Sequence, residues 1–122
     1  MKVPLAEPDL SGREAEYVLE CVQTGWISGK GKFVSKFEEE FAAYLGVEHA
    51  VAVSSGTAAL HLAVRALDIG PGDEVILPTF TMIACANAIR YVGARPVFVD
   101  SEPRTWNLDP GQVEEKITDR TK

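Results

Sequence analysis

The chain has 122 residues, of which 46% are hydrophobic and 25% charged, with 12 Lys plus Arg against 18 Asp plus Glu and a net charge of −6. That length allows one domain with a modest core, and the composition is that of a folded chain rather than a disordered one. The acidic balance argues against a nucleic-acid or anionic-membrane binder, and two distant cysteines, Cys21 and Cys85, argue against a disulfide scaffold or a Cys-based zinc site.

The N-terminus, Met1-Lys2-Val3-Pro4, opens no apolar stretch of the kind that directs secretion. Ser11-Gly12-Arg13-Glu14 reads as a capping box with Ser11 at the N-cap. The predicted helix runs from there to about Gln23, buries Tyr17, Val18, Cys21 and Val22, and stops at Gly25. Residues 25–31 form a loop with three glycines, in which Trp26 either lines a pocket or covers core. Phe33, Phe37, Phe41 and Tyr44 recur at helical spacing with Leu45 beside them, and Gly46 is placed as the C-terminal cap. Glu38-Glu39-Glu40 belongs to the solvated face of that helix.

From residue 49 the pattern changes. Ala50-Val51-Ala52-Val53 is a short apolar run of the kind expected for a strand covered on both faces. Ser54-Ser55-Gly56-Thr57 leads into a predicted helix from Ala58 to Leu67, apolar almost all round and therefore expected to be largely buried. After the turn Gly70-Pro71-Gly72-Asp73 comes a second strand, Glu74 to Leu77, ended by Pro78. Thr79 or Thr81 caps a helix running to about Val92, where Gly93 ends it, and Pro96 to Val99 is a third strand. Asp109-Pro110-Gly111-Gln112 starts a last helix, with Asp as cap and Pro at the first helical position. The charge-free run Val75 to Ile89 is too short to span a bilayer and contains Pro78. These features describe a soluble, reducing, cytoplasmic α/β protein with a parallel sheet and right-handed crossovers. The chain reads as a single domain, residues 1–122, with N-terminal helices and a Gly-rich loop over 1–46 and strand–helix units over 47–122. Its last helix ought to feed a further strand, so the architecture stops part-way.

Three features are site-like. Ser54-Ser55-Gly56-Thr57-Ala58-Ala59 sits at a strand-to-helix junction, where free amides and a hydroxyl can hold an anion and Gly56 permits close approach. An ordinary N-cap accounts for the same residues. The segment is neither a Walker loop nor a three-glycine dinucleotide fingerprint. Leu77-Pro78-Thr79-Phe80-Thr81-Met82 follows a strand's carboxyl end, where ligands of open α/β sheets bind, although Phe80 and Met82 also suit plain core packing. Gly25-Trp26-Ile27-Ser28-Gly29 is the third. His49 and His61 are isolated, Asp100 suits a turn or a cap better than catalysis, and Trp106 is expected to pack the final loop. No Ser/His/Asp set, carboxylate pair or metal cluster emerges from spacing, so no catalytic residue and no metal is assigned.

Taken in order, several motifs resemble one family. They are Gly25-Trp26-Ile27-Ser28, the Phe33–Phe41 helix, Ala52-Val53-Ser54-Ser55-Gly56-Thr57-Ala58-Ala59-Leu60, Gly70-Pro71-Gly72-Asp73-Glu74-Val75-Ile76, Pro78-Thr79-Phe80-Thr81 and Pro96-Val97-Phe98-Val99-Asp100. This order resembles the N-terminal part of the DegT/StrS-type nucleotide-sugar aminotransferases, which include perosamine synthases. The resemblance implies the large domain of aminotransferase fold type I, with an incomplete sheet, and pyridoxal 5'-phosphate (PLP) as cofactor. It also implies a nucleotide-linked keto-sugar and an amino donor, commonly glutamate, as substrates of the complete enzyme. Gly56, Thr57 and Ala58 would then hold the PLP phosphate. Met82 would occupy the place where the family often sets an aromatic ring against the pyridine, and Trp26 and Ser28 would lie near the substrate. None of the lysines, Lys2, Lys30, Lys32, Lys36, Lys116 and Lys122, has a context resembling the family's Schiff-base lysine. The covalent anchor is therefore expected outside this chain, which by itself is expected to be inactive. The resemblance also separates the strand at 50–53 from the other two by later strands. Another polypeptide would then supply the rest, or the chain would self-associate or repack. The alternative function is a non-catalytic phosphate-binding or assembly module derived from that fold.

Overall fold

The computed structural model describes residues 3–4 and 6–122, so Lys2 lies outside the described residues. Contacts divide the chain into two units, Met1–Ala52 and Val53–Lys122. The first holds α1 (Glu14–Thr24) and α2 (Lys32–Leu45). Both helices end on glycines in the left-handed region, Gly25 at φ 75° and Gly46 at φ 69°, as their sequences predict. The expected capping box does not form: the Ser11 amide donates to Asp9 Oδ1 at 3.0 Å, and Arg13 takes the N-cap position without a side-chain cap. Arg13 folds forward instead, pairing with Glu16 at 2.6 Å and lying 4.8 Å over the Tyr17 ring. The predicted buried stripe of α1 is corrected too. Tyr17 and Cys21 are half-buried, but Val18 and Val22 are exposed. Tyr17 packs on Phe33 of α2 with ring centroids 4.7 Å apart.

Along α2 the rings of Phe37, Phe41 and Tyr44 form a stacked row, one turn apart, yet all three are exposed. The acidic run is not wholly solvent-facing. Glu38 is half-buried and accepts the Ala52 amide at 2.8 Å, so its carboxylate ties the segment after α2 back onto the helix. Residues 50–53 show no strand pairing among the described residues, against the expectation from their apolar run, and Val51 is exposed. Strand propensity needs a neighbouring ladder to be realised, and none reaches this segment.

The second unit is a parallel strand–helix–strand with flanking helices. It runs α3 (Gly56–Ala66), β1 (Glu74–Pro78), α4 (Ile83–Tyr91), β2 (Arg95–Val99) and α5 (Pro110–Lys116). β1 and β2 pair in parallel from Glu74↔Arg95 to Pro78↔Val99, with α4 as the crossover. The core is Ile69, Leu77, Ile89 and Ala94, with Val64, Val75, Cys85, Ala86 and Val92 packed around it. α3 contributes only one side to this core. Leu60, Leu62 and Leu67 are exposed, so the expected all-round burial of α3 does not occur. The threonines do not cap α4 either, since Met82 is the N-cap residue and makes no side-chain cap bond. Gly93 turns the chain from α4 into β2 at φ 83°, where an added Cβ would come within 3.0 Å of Pro71 Cγ. Asp109 caps α5 by accepting the Gly111 amide at 2.9 Å, with Pro110 in the first turn, as its sequence predicts.

After α5, where a further strand is expected, the described residues show a single isolated bridge. Thr121 makes a parallel bridge to Glu74, on the edge of β1 opposite β2. Glu74 is the one buried charged residue among the described residues, at 1% exposure. Its carboxylate accepts from the Thr118 hydroxyl at 2.9 Å, Arg95 at 2.7 Å and Arg120 at 2.6 Å. The Thr118 hydrogen bond, joined by the two guanidiniums and opposed by burial, holds the Glu74 pKa below the ordinary glutamate range.

Two outcomes follow for stability. Leu77→Ala removes a 5%-exposed side chain from the centre of the core, and urea unfolding should show a loss of about 2–5 kcal/mol. Because the Glu74 pKa is lowered on folding, its contribution is complete above the unfolded value and is lost as pH falls through the folded one. Thermal unfolding followed by circular dichroism should therefore show Tm falling below about pH 4.5, and Glu74→Gln should flatten that acid limb.

Candidate functional site

The junction before α3 is built from the backbone outward. Ser55 is extended, at φ −167° and ψ 161°, and is the N-cap. Its Oγ accepts the Ala58 amide at 3.2 Å, and its carbonyl accepts the Ala59 amide at 3.0 Å. The amides of Gly56 and Thr57 have no acceptor among the described residues. They are the orphan donors that every helix start leaves, and they carry the positive end of the helix dipole. Gly56 is exposed, and a Cβ built on it would meet nothing within 4 Å. Thr57 is half-buried. Sequence alone left an N-cap and an anion site as alternatives. The geometry shows the cap, with Ser55 accepting the Ala58 amide, and leaves the Gly56 and Thr57 amides without an acceptor among the described residues.

A second set of residues gathers where β1 and β2 end. The Thr79 amide donates to the Val99 carbonyl at 2.8 Å, and its hydroxyl donates to Asp100 Oδ1 at 3.3 Å. Asp100 also accepts the Ser101 amide at 2.8 Å, which makes it the turn residue its position suggested. The Asp100 amide donates to Gln112 Oε1 at 2.9 Å, and Gln112 Nε2 reaches Asp109 at 3.1 Å. This chain of bonds ties the loop after β1, the loop after β2 and the start of α5 together. Phe80 and Trp106 cross the same two loops, with ring centroids 5.8 Å apart. Trp106 is at φ 62°, an outlying backbone angle for a bulky residue, in a turn where the Glu102 carboxylate takes the Arg104 and Thr105 amides. Phe80, Met82 and Trp106 are all exposed, so none of them packs as core. His61 sits edge-on to Tyr91, 5.4 Å away, in a structural contact between α3 and α4.

Trp26 and Ser28 belong to the first unit. They line an open concavity of about 790 Å³ together with Glu20, Cys21, Ile27 and Phe33. Trp26 is exposed and borders this concavity. The Ser28 hydroxyl donates to the Lys30 carbonyl at 3.3 Å and holds the Gly-rich loop closed on itself. A salt bridge from Lys32 to Glu20 spans the two helices beside it. Gly56, Thr57, Ala58 and Met82 lie in the second unit, on α3 and at the start of α4. No group of His, Cys, Asp and Glu able to hold a metal is found among the described residues.

Sequence reading missed the bond from Glu38 to Ala52, the Gln112 bridge and the Glu74 cluster. The last had a visible signal. The first residues of the two strands are Glu74 and Arg95, an opposite-charge pair placed side by side once the strands are aligned by their hydrophobic runs.

Comparison with known proteins places these features in context. The profile of the DegT/DnrJ/EryC1/StrS aminotransferase family matches residues 8–122. A GDP-perosamine synthase of Caulobacter vibrioides is 55% identical over 121 residues, 99% of this chain and 33% of its own length. A GDP-perosamine synthase of Escherichia coli O157:H7 is 52% identical over 98% of this chain and 33% of its own length. Among solved structures, a putative sugar aminotransferase of Streptococcus pneumoniae in its PMP form superposes with a TM-score of 0.93. It is 37% identical, covering 100% of this chain and 31% of that one. The chain thus spans about a third of the length of the curated relatives it matches.

Ser55→Ala removes the cap of α3, and thermal unfolding should register a loss of about 1 kcal/mol. The same substitution leaves the Ala58 amide without its acceptor, adding a third free donor to the two at Gly56 and Thr57.

Proposed function

The chain belongs to the DegT/DnrJ/EryC1/StrS aminotransferase family, and from that premise we propose that it is the N-terminal portion of a PLP-dependent enzyme that transfers an amino group to a nucleotide-linked keto-sugar. The observation that carries this reading is the start of α3, where the family match coincides with two unpaired amides, an unobstructed glycine and a threonine hydroxyl. A phosphate monoester is dianionic near neutral pH and fits such a donor set. Gly56 and Thr57 would hold that phosphate through their amides and the Thr57 hydroxyl. The Ala58 amide joins them when Ser55 Oγ turns away. When bound, PLP supplies an electron sink for the carbon that exchanges its amino group.

The remaining residues bind and orient. Met82 offers an exposed, polarisable thioether for the cofactor's ring face. Trp26 and Ser28 are assigned to the sugar-nucleotide substrate, supported by the concavity they line. The identities of the perosamine synthases favour a nucleotide-linked keto-sugar as acceptor. The covalent lysine is assigned to a part of the enzyme beyond these residues, so this chain alone is inactive. The exposed rows on α1 and α2 support association with a second copy or with the remainder of the enzyme. The reading places the protein in the cytoplasm, with no nucleic-acid partner. No described helix is long and apolar enough to cross a membrane.

Equilibrium dialysis of the 122-residue chain with PLP, with inorganic phosphate as competitor, tests the site. PLP should bind reversibly, phosphate should displace it, and Thr57→Ala should weaken binding about tenfold. Borohydride treatment followed by mass spectrometry should leave no stoichiometric pyridoxyl group on any of the six lysines. An adduct on one of them overturns the assignment of the anchor. Self-association without phosphate-sensitive binding would favour the assembly module, for which the exposed apolar rows are the specific support.

A further inference from the structure

We infer that Glu74 is a register lock on the outer edge of β1, fixing where the segment Thr118–Lys122 lies on that edge. This concerns assembly of the sheet and does not rest on the proposed function. The main chain of Glu74 makes both bonds of the parallel bridge: its amide donates to the Arg120 carbonyl at 2.8 Å, and its carbonyl accepts the Lys122 amide at 3.0 Å. Its side chain holds the same segment again, accepting from the Thr118 hydroxyl at 2.9 Å and from Arg120 at 2.6 Å. One residue therefore grips the segment at positions 118, 120 and 122. The segment is preformed for that grip. The Thr121 amide donates to the Thr118 carbonyl at 3.0 Å, and the Thr118 amide donates to Thr121 Oγ1 at 2.9 Å, which closes a turn that presents Thr118 and Arg120 together.

Main-chain bonds alone do not choose this register. A slip of two residues would keep the segment's faces and could pair its backbone with Ile76 instead of Glu74. The carboxylate makes the difference. After such a slip it would stay buried with Arg95 as its one remaining partner, having lost the Thr118 hydroxyl and Arg120, and taking hydrogen-bond partners from a buried charge is costly. Specifying register is the best-attested use of a buried polar group of this kind. Glu74 also faces Arg95, its β2 partner in the ladder, at 2.7 Å. The same carboxylate thus aligns strands on both sides of β1. The side chains of Arg95 and Arg120 are 63% and 62% exposed, so water can reach them if the carboxylate is removed.

Amide hydrogen exchange of the 122-residue chain, read by NMR, separates the two edges. The amides of residues 74 and 122 report the outer edge, and the Thr79 amide, bonded to Val99, reports the β1–β2 pairing. In Glu74→Leu, which keeps the site filled and apolar, protection at positions 74 and 122 should fall about tenfold or more while Thr79 stays within about threefold. Arg120→Met, which keeps the Glu74–Arg95 pair, should give the same pattern. Wild-type protection at positions 74 and 122 in both variants overturns the lock. If either variant also loses protection at Thr79, Thr118→Val decides, because it leaves both ion pairs in place. A fall at Lys122 with Thr79 unchanged supports the lock, and no fall at Lys122 overturns it.

Discussion

Parallel pairing of β1 with β2 is the constraint on which the rest of the second unit depends. Two parallel strands cannot be joined by a tight turn, so the chain must travel back along one face, and α4 is that return. The return buries Ile89 and Ala94 against Leu77 and Ile69, which supplies the unit's core. It also sends both strands' carboxyl ends to one side. Thr79, Asp100, Phe80 and Trp106 collect there because the strands deliver them, and the bonds among them then fix two loops that would otherwise move independently.

At the other end of the sheet the chemistry is inverted. The carboxyl end is lined by hydroxyls and exposed rings, whereas the amino end is closed by a buried carboxylate between two arginines. Burial would ordinarily push a glutamate towards its neutral form. Here the Thr118 hydroxyl and the guanidiniums outweigh that tendency and keep the charge. A buried ion cluster of this kind is weak evidence for net stability, and the register it is inferred to set on the outer edge of β1 is a separate role.

Much of this was legible in the sequence, for reasons that differ from element to element. β1, β2, α2 and α5 followed from local signals: apolar runs, a row of aromatic residues at helical spacing, and an Asp-Pro pair at a helix start. The match to the family rested on the order of several motifs, each weak alone, and the α3 junction was visible because a serine–glycine–threonine run after an apolar stretch marks a helix start, which Ser55 caps. The failures share a cause. Ser11 and the threonines near α4 were read as caps from spacing, but a cap depends on backbone angles that residue identity does not set, and Arg13 and Met82 occupy the positions instead. Residues 50–53, the burial of α3 and the buried stripe of α1 depend on which neighbours cover them, and no single-strand pattern encodes its neighbours. The Glu74 cluster joins residues 21 and 46 positions apart, a separation that only the register brings together.

Pro78, the last residue of β1, has a consequence for the outer edge. Along β1 the even-numbered residues turn their polar backbone groups towards that edge, as Glu74 shows by bonding to Arg120 and Lys122. Ile76 therefore still offers a donor and an acceptor there, whereas Pro78 has no N–H to give. Any strand lying along that side loses one of its two bonds at Pro78, which keeps only its carbonyl as an acceptor, level with the Thr79 loop. An imino acid at that place thins the ladder, so a neighbouring backbone would be held less tightly at the height where the carboxyl-end loops begin.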